Sequence, residues 1–268
     1  MSRIAACFSR LKEEGKTALI PFITAGDPSK EITVPLMHKM VAAGASLIEL
    51  GVPFSDPMAD GPTIQRASER ALEANTSLLD VFAMVEEFRQ QDSTTPIILM
   101  GYLNPIEVMG YYNFAQAAAA AGVDGAITVD IPPEEAEGFL EAMQQSELDP
   151  IFLLAPTSNT ERIQRICSAA SGFVYYVSLK GVTGAGHLDI DAVQNKVEEI
   201  RNHTDLPVGV GFGIKDAETA AKMARIADAV VVGSAVVTRV EDNQHNAEAI
   251  QQEIGALLMS MREAMDQT

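Results

Sequence analysis

The sequence predicts an α/β protein that folds as a single (β/α)8 TIM barrel with an extra N-terminal helix. Eight short apolar runs alternate with helical patterns along the 268 residues, and such alternation is typical of βαβ units in a parallel sheet. The length suits one barrel, since α/β barrels use about 250 residues. The turn after the first run, residues 24–28, lacks a Gly-x-Gly-x-x-Gly fingerprint, which disfavours a doubly wound nucleotide-binding sheet. We therefore expect one domain over residues 1–268.

The apolar runs have the composition of strands that are buried on both faces. Each is short and almost continuously apolar, as in parallel strands covered by helices. The predicted strands are residues 19–24, 46–50, 96–100, 125–129, 150–154, 173–178, 207–210 and 228–232. Chemistry in a barrel is located where strands end and the following loops begin, so those points carry the candidate residues.

The helical patterns begin at capping residues, and several end at glycine. Ile4, Phe8 and Leu11 recur at the spacing of an amphipathic helix that ends near Gly15. Ser, Thr, Asn or Asp precedes most of the later patterns. The later predicted helices are residues 30–43, 76 or 77 to 91, 112–121, one that starts within 132–135, 161–170, 192–201, 217–227 and 246–265.

Charge and cysteine content exclude several classes of protein. The chain has 19 Lys+Arg against 37 Asp+Glu, a net charge of −18, which argues against nucleic acid or an anionic membrane surface as a partner. Cys7 and Cys167 cannot supply a disulfide framework. Residues 1–15 lack the apolar core of a signal peptide. We expect a cytoplasmic protein.

A carboxylate interrupts the second predicted strand. Glu49 stands between Ile48 and Leu50, and a lone carboxylate in an apolar strand is costly unless it is paired, hydrated or protonated. One interpretation is a structural glutamate that a salt bridge or water satisfies. The other is an acid–base group with a raised pKa.

The loop after that strand, residues 51–62, is long for a βα connection and contains Asp56 and Asp60. Long ordered loops in compact domains tend to be functional. Asp before Pro and Asp-Gly-Pro are also ordinary turn formers. Taken alone, each Asp is better explained as a turn residue than as a catalyst.

The loop after the sixth predicted strand, residues 179–187, contains three glycines. This composition suits a lid that closes over a substrate, and it also suits a flexible surface loop. His187 at the far edge has no acidic partner in a recognisable motif, so we expect it to be exposed. Tyr175 and Tyr176 alternate on the strand itself, so one of them points into the barrel.

Glycines follow the seventh and eighth predicted strands, within residues 209–216 and 232–236. This placement matches the phosphate site of barrel enzymes, where backbone N–H groups and a helix N-terminus hold an anion. Ser234 adds a hydroxyl group, and Lys215 is either a charge partner or a surface lysine. Tight turns are the alternative reason for these glycines.

The residues together predict a barrel enzyme for a phosphorylated small molecule, with Glu49 as its first candidate catalytic carboxylate and Asp60 as its second. The sequence has no acid–histidine cluster with the spacing of a metal site, so we expect no metal. A Schiff-base aldolase needs a buried lysine at a strand end, and Lys180 of the lid is the only lysine near one. Carbon–carbon chemistry would then depend on carboxylates.

Residues 48–62, Ile-Glu-Leu-Gly-Val-Pro-Phe-Ser-Asp-Pro-Met-Ala-Asp-Gly-Pro, resemble the signature of the tryptophan synthase α-subunit family nearly residue for residue. Further segments are similar to motifs of that family in the same order, and together they span the chain. These segments are residues 21–28, 101–105, 181–184, 211–214 and 233–234.

The resemblance implies a lyase of L-tryptophan biosynthesis that cleaves indole-3-glycerol phosphate to indole and glyceraldehyde 3-phosphate. In that family Glu49 would be the general acid and base, and Asp60 would bind the indole N–H. Tyr175 and Thr183 would support Glu49 and lid closure. Phosphate would bind the amides around Gly184, Gly213, Gly233 and Ser234. The apolar indole pocket would contain Phe22, Met100, Ile127, Val129, Leu153, Phe212 and Val231.

The resemblance also implies a protein partner. The family's α subunit uses no cofactor and docks on a pyridoxal-phosphate β subunit in an α2β2 assembly. The loop with Pro53 and Asp56, and the segment at residues 104–105, would face that partner. Many relatives carry Ser-Arg before the lid glycine, whereas Leu179 and Lys180 stand there in this chain.

Two other functions stay open beside the lyase. The chain could be a binding or regulatory subunit whose barrel occupancy controls a partner enzyme, or it could be a phosphosugar isomerase on the same barrel. Substitution of Asp60 separates the lyase from the isomerase, because only an indole substrate presents an N–H group to that carboxylate.

Overall fold

Parallel strands and helices alternate along the chain in the computed structural model, which describes residues 2–178, 189–211 and 213–268. The strands belong to one sheet. They are β1 (Ala18–Thr24), β2 (Ile48–Gly51), β3 (Ile97–Gly101), β4 (Gly125–Thr128), β5 (Asp149–Ile151), β6 (Leu153–Leu154), β7 (Val174–Val177), β8 (Val208–Gly211) and β9 (Ala229–Val232).

Helices connect these strands and cover the outside of the sheet, and the chain also begins and ends in helices. A 3₁₀ helix at Pro133–Glu135 precedes the seventh α-helix. The α-helices are α1 (Arg3–Glu13), α2 (Lys30–Ala42), α3 (Pro62–Glu73), α4 (Leu78–Arg89), α5 (Leu103–Met109), α6 (Tyr111–Ala121), α7 (Glu137–Gln145), α8 (Thr160–Ala169), α9 (Ile190–Arg201), α10 (Ala217–Ala224), α11 (Ser234–Asp242) and α12 (Ala247–Met265).

The sheet closes on itself almost completely. Its strand order is β5-β4-β3-β2-β1-β9-β8-β7-β6, and every observed pair is parallel. Pairing of β1 with β9 joins the two ends of the chain, and the remaining seam lies between β5 and β6. These two strands are consecutive in sequence, so the architecture is the predicted (β/α)8 barrel.

The fifth predicted strand, residues 150–154, is divided into two. β5 pairs with β4, whereas β6 pairs with β7. Phe152 lies between them, and its carbonyl accepts a hydrogen bond from Tyr175 N–H at 3.1 Å. The run therefore changes neighbours at Phe152, which sequence alone does not reveal because its apolar pattern is unbroken.

The N-terminal helix closes the amino-terminal end of the barrel. Ile4, Cys7, Phe8 and Leu11 of α1 are buried in one cluster with side chains of the barrel interior. The ring of Phe8 packs against Phe173, just before β7, with centroids 5.7 Å apart. The predicted amphipathic stripe is thus confirmed, and it leaves the carboxyl-terminal end as the open end.

Helix boundaries follow the predicted capping signals within a few residues. Ser77 forms a capping box at α4, and the side chains of Asn159, Asp189 and Asp216 cap α8, α9 and α10. Gly122 ends α6 in the left-handed conformation, with φ of +92°. In the parts of the chain that are described, no helix combines the length and the hydropathy needed to cross a bilayer.

Candidate active site at the carboxyl end of the barrel

Glu49 lies inside the barrel on β2. Its register neighbours are Phe22 on β1 and Ile98 on β3, and the residue is only 2% exposed. Among the described residues, none donates a hydrogen bond or forms a salt bridge to its carboxyl group. Burial, with a smaller contribution from the charge of Asp60, raises the pKa of Glu49 to about 8. The carboxyl group is therefore mostly protonated at neutral pH.

Asp60 lies in the loop between β2 and α3. Its Oδ2 accepts a hydrogen bond from the hydroxyl group of Tyr102 at 2.9 Å, and its backbone carbonyl accepts one from Gln65 Nε2 at 2.8 Å. Burial raises the pKa of Asp60, while the Tyr102 hydrogen bond opposes that shift. The backbone N–H bonds Pro57 O at 3.0 Å, so Asp60 forms a turn and also presents a held carboxylate to the site.

Tyr102 is a site residue that sequence reasoning missed. Its oxygen accepts the N–H of Ala59 at 3.0 Å while its hydroxyl group donates to Asp60. Its ring stacks on Phe54 with centroids 5.3 Å apart. Tyr102 therefore contacts the loop before α3 at Phe54 and again at Ala59 and Asp60, and so holds Asp60 in place. Its position directly after β3, within the motif at residues 101–105, was the available signal.

Tyr175 points into the barrel from β7, and Tyr176 packs in the outer core. A Cβ atom at Gly211 would lie 2.2 Å from the Tyr175 oxygen, so glycine at that position makes room for the phenol. Burial, followed by the charge of Glu49, raises the pKa of Tyr175 well above its ordinary value. The phenol stays protonated, and the structure brings it into electrostatic contact with Glu49.

A cleft opens at this end of the barrel beside Asp60. Phe22 and Met100 line it, while Ile127 lies in the interior cluster with Met100. Sequence reasoning missed two hydroxyl groups in the lining, those of Thr24 and Ser68. The Thr24 hydroxyl is buried without a hydrogen-bond partner among the described atoms. The full lining is Phe22, Thr24, Gly51, Val52, Asp60, Ile64, Ser68, Met100, Gly101, Tyr102 and Val129.

The predicted phosphate residues lie after β8 and β9. Gly213 is exposed with φ of +76°, a conformation that favours glycine. Gly233 precedes α11, which begins at exposed Ser234. A Cβ atom at Gly233 would lie 3.9 Å from the Cβ atom of Phe22, so the start of α11 adjoins the cleft. Lys215 is exposed, and its side chain has no described hydrogen-bond partner.

Several predicted residues lie outside the described part of the chain. They include the whole predicted lid, residues 179–187, with Thr183 and Gly184. Phe212 is also outside it. Elsewhere, across residues 2–178, 189–211 and 213–268, no group of three or more His, Cys, Asp or Glu side chains is arranged to hold a metal ion.

Fold and site together are those of a (β/α)8-barrel enzyme with a buried carboxyl group at the end of the barrel where such enzymes bind their substrates. A family model described as the tryptophan synthase alpha chain matches residues 8–266. The chain is 62% identical to the tryptophan synthase alpha chain of Thioalkalivibrio sulfidiphilus, over 99% of this chain and 100% of that protein. It is 63% identical to the one of Nitrosococcus oceani, over 100% and 99% of the two chains.

A solved structure agrees with these sequence matches. The crystal structure of tryptophan synthase subunit alpha from Legionella pneumophila superposes with a TM-score of 0.94 at 47% identity, and the match covers 100% of both chains. The chain therefore belongs to the tryptophan synthase alpha chain family. It is a lyase of tryptophan biosynthesis that cleaves indole-3-glycerol phosphate, as the resemblance at residues 48–62 implied.

Proposed function

We propose that the carboxyl end of the barrel cleaves indole-3-glycerol phosphate through Glu49, Asp60 and Tyr175. The observation that carries the proposal is the buried, unpaired carboxyl group of Glu49 beside the charge of Asp60. A pKa of about 8 suits a group that gives up a proton and takes one back near neutral pH. Tyr175 is a buried phenol near Glu49, and burial together with the charge of Glu49 raises its pKa, so it stays neutral.

The retro-aldol reaction needs one proton to move from oxygen to carbon. Protonated Glu49 gives its proton to C3 of the indole ring, and the ionised carboxylate of Asp60 stabilises the positive charge that appears at the indole nitrogen. Glu49 then removes the proton of the substrate hydroxyl group. The electron pair of that O–H bond forms the carbonyl group of glyceraldehyde 3-phosphate, and the pair of the broken C–C bond returns to the ring as indole.

The substrate binds between an apolar pocket and an anion site. Phe22, Met100 and Ile127, together with Phe212, contact the indole ring, and Thr183 supports closure of the loop over it. The amides of Gly184, Gly213, Gly233 and Ser234 hold the phosphate group. Since the chain carries a net charge of −18, the phosphate is attracted by local N–H groups and the N-terminus of α11 rather than by the overall field.

A tryptophan synthase β subunit is the proposed partner, in an α2β2 complex. Met58 in the loop before α3 is 84% exposed, and Val108 on α5 is 83% exposed. Exposed apolar side chains on neighbouring βα connections are typical of a docking surface. Pyridoxal phosphate belongs to that partner, and the reaction of this chain uses no cofactor, no nucleic acid and no membrane. We place the chain in the cytoplasm, as one domain over residues 1–268.

The decisive experiment is an indole-release assay of the purified chain with indole-3-glycerol phosphate, with and without added β subunit. The lyase predicts release by the chain alone and faster release in the complex. Tight binding of a substrate analogue without turnover, together with activation of the β subunit, would instead identify a regulatory subunit.

Asp60→Asn tests the indole-specific role in the same assay. We expect a loss of about 10²-fold or more in kcat/KM, because the developing positive charge loses its counter-charge. Asp205→Asn, at an exposed loop position on the amino side of β8, is the matched control and should keep normal turnover. If Asp60→Asn also keeps it, the role of Asp60 is wrong.

A further inference from the structure

A cluster of four charged side chains lies outside the proposed site and joins three segments around it. Arg70 of α3 donates to both carboxylate oxygens of Asp27, in the loop after β1, at 2.7 and 2.9 Å. Arg70 also reaches Glu241 of α11 at 3.3 Å. Arg66, one turn earlier on α3, donates two hydrogen bonds to Glu241, one of them at 2.8 Å. We call Asp27, Arg66, Arg70 and Glu241 the charged clamp.

The clamp is buried most deeply at its Asp27 end. The side chains of Asp27 and Arg70 are 2% and 14% exposed, and those of Glu241 and Arg66 are 25% and 48% exposed. Buried charges are retained only with partners of good geometry, and bidentate arginine–carboxylate pairs fix orientation as well as charge. The clamp therefore fixes how α3 and α11 lie against each other and against the loop after β1.

The same two helices pack together against a residue of the cleft, and α3 also lines the cleft itself. Ala67 of α3 and Val237 of α11 pack with Phe22 in a separate apolar cluster, to which Ile64 and Met100 add. On each helix a clamp residue follows one of these apolar residues by three or four positions, which places both on nearly the same face, so the clamp continues the apolar contact between α3 and α11. A change in the position of either helix must therefore alter the packing of Phe22, which lines the cleft that would hold the indole ring.

The two helices also begin at the two halves of the proposed site. Only Gly61 separates Asp60 from the first residue of α3, and Ser234 is the first residue of α11. Glu241 lies in the last turn of α11, and Arg66 lies in the second turn of α3. A rigid helix transmits a displacement of its N-terminus to its far end, so the clamp connects the start of α11 to the segment of Asp60.

We propose that the charged clamp is a positioning device that couples phosphate binding at α11 to indole binding beside Asp60. The inference rests on the proposed function, because it assigns the two ligand groups to the two helices. Anion binding at Ser234 favours one position of α11. Because Glu241 bonds Arg66 and Arg70, a shift of α11 also shifts α3. The new position of α3 then holds Asp60 against the indole nitrogen. By linkage, indole must favour anion binding to the same extent.

The test measures this coupling directly with two separate probes on the full-length chain. Calorimetry gives the Kd of indole with and without saturating glycerol 3-phosphate. Coupling factors of about 5- to 150-fold are usual for linked sites, and we expect at least about fivefold in the native chain. Glu241→Gln and Arg66→Gln should lower the factor to less than about twofold, with little change in either affinity measured alone.

Glu134→Gln is the matched control, because Glu134 also joins two elements through two arginines, Arg162 and Arg165 of α8. It should keep the native coupling factor. A merely structural clamp would lower the unfolding free energy and leave the coupling factor unchanged. Since Arg66 is half exposed, Arg66→Gln carries the test if Glu241→Gln does not fold.

Two results would overturn the inference while indole release remains intact. They are native-like coupling in Arg66→Gln and the absence of coupling in the native chain. If the native chain binds neither probe and releases no indole, the proposed function itself fails and the inference fails with it. The indole-release assay therefore separates the two kinds of failure.

Discussion

Two buried carboxyl groups lie at opposite ends of the barrel and have opposite surroundings. Asp124, just before β4 at the amino end, pairs with Arg89 at 2.7 Å and Arg3 at 2.9 Å, and it accepts the N–H of Ile97 at 2.8 Å. Glu49 at the other end has no such partner among the described residues, and its pKa rises to about 8. The cost of burying a charged carboxylate is offset at the amino end by the two arginines and the N–H group. At the carboxyl end no described group offsets it. The uncompensated group is the one that can exchange a proton.

The largest expected effect is on the activity of the unpaired group. Glu49→Gln should reduce indole release by about 10³- to 10⁴-fold, because the amide neither gives nor takes the proton. Indole release from indole-3-glycerol phosphate checks this, with exposed Glu87→Gln on α4 as the control. Near-normal turnover of the Glu49 variant would contradict the acid–base role of Glu49 and the functional difference from Asp124.

The paired group should instead matter for stability. Asp124→Asn leaves Arg89, whose side chain is 11% exposed, without its counter-charge. Breaking a buried pair costs about 3–5 kcal/mol of unfolding free energy, which urea titration measures. Asp228→Asn is the control, because Asp228 similarly bonds Val208 N–H and an arginine but its side chain is 42% exposed. It should lose about 1 kcal/mol or less. Equal losses would contradict the role of burial.

The unfolding free energy should depend on pH because the buried carboxyl group of Glu49 has a raised pKa. Its folded pKa of about 8 exceeds the ordinary value of 4.5, so the folded state binds the proton more tightly than the unfolded state. That stabilisation is complete below pH 4.5 and is lost between 4.5 and about 8, at up to about 1.4 kcal/mol per pH unit. Glu49→Gln removes the loss, so its melting temperature relative to the native chain should rise with pH. A pH-independent difference would contradict the pKa shift.

The smallest effect concerns the support of Asp60. Tyr102→Phe removes the hydroxyl group that donates to Asp60 and accepts from Ala59. A hydrogen bond of this kind contributes about 1 kcal/mol, so kcat/KM should fall roughly fivefold. Tyr112→Phe, at a 45% exposed position on α6, should leave kcat/KM unchanged. If kcat/KM of the Tyr102→Phe variant equals that of the native chain, the loop holds Asp60 without the phenol.

Much of the barrel was predictable because strands buried on both faces leave continuous apolar runs. Helices α3 and α5 were not predicted, and of α11 only a start after the eighth strand was; each begins without a side-chain cap. α3 follows Gly61, α11 follows β9 after Gly233 alone, and α5 is short and contains Pro105. Their start signals are therefore weak or resemble those of turns.

The site was predictable where the polarity of a residue differs from that of its neighbours in sequence. Glu49 is a carboxylate in an apolar strand, so its sequence context alone predicts a special state. Tyr102 and Thr24 give no such local signal, because their roles depend on contacts that cross from one βα loop to another. The bond from Tyr102 to Asp60 spans 42 residues of sequence. Only the closed barrel shows that these loops meet.

Closure of the barrel through β1 and β9 has a consequence during synthesis on the ribosome. Within each arm of the sheet, strands pair with their neighbours in sequence, so successive βα units can assemble as they emerge. Residues Ala18–Pro21 of β1 pair with Ala229–Val232 of β9. This pairing cannot form until β9, the last strand to be translated, has been synthesised. Until then the nascent chain carries an open strand edge, the kind of surface that chaperones cover and that other chains can capture.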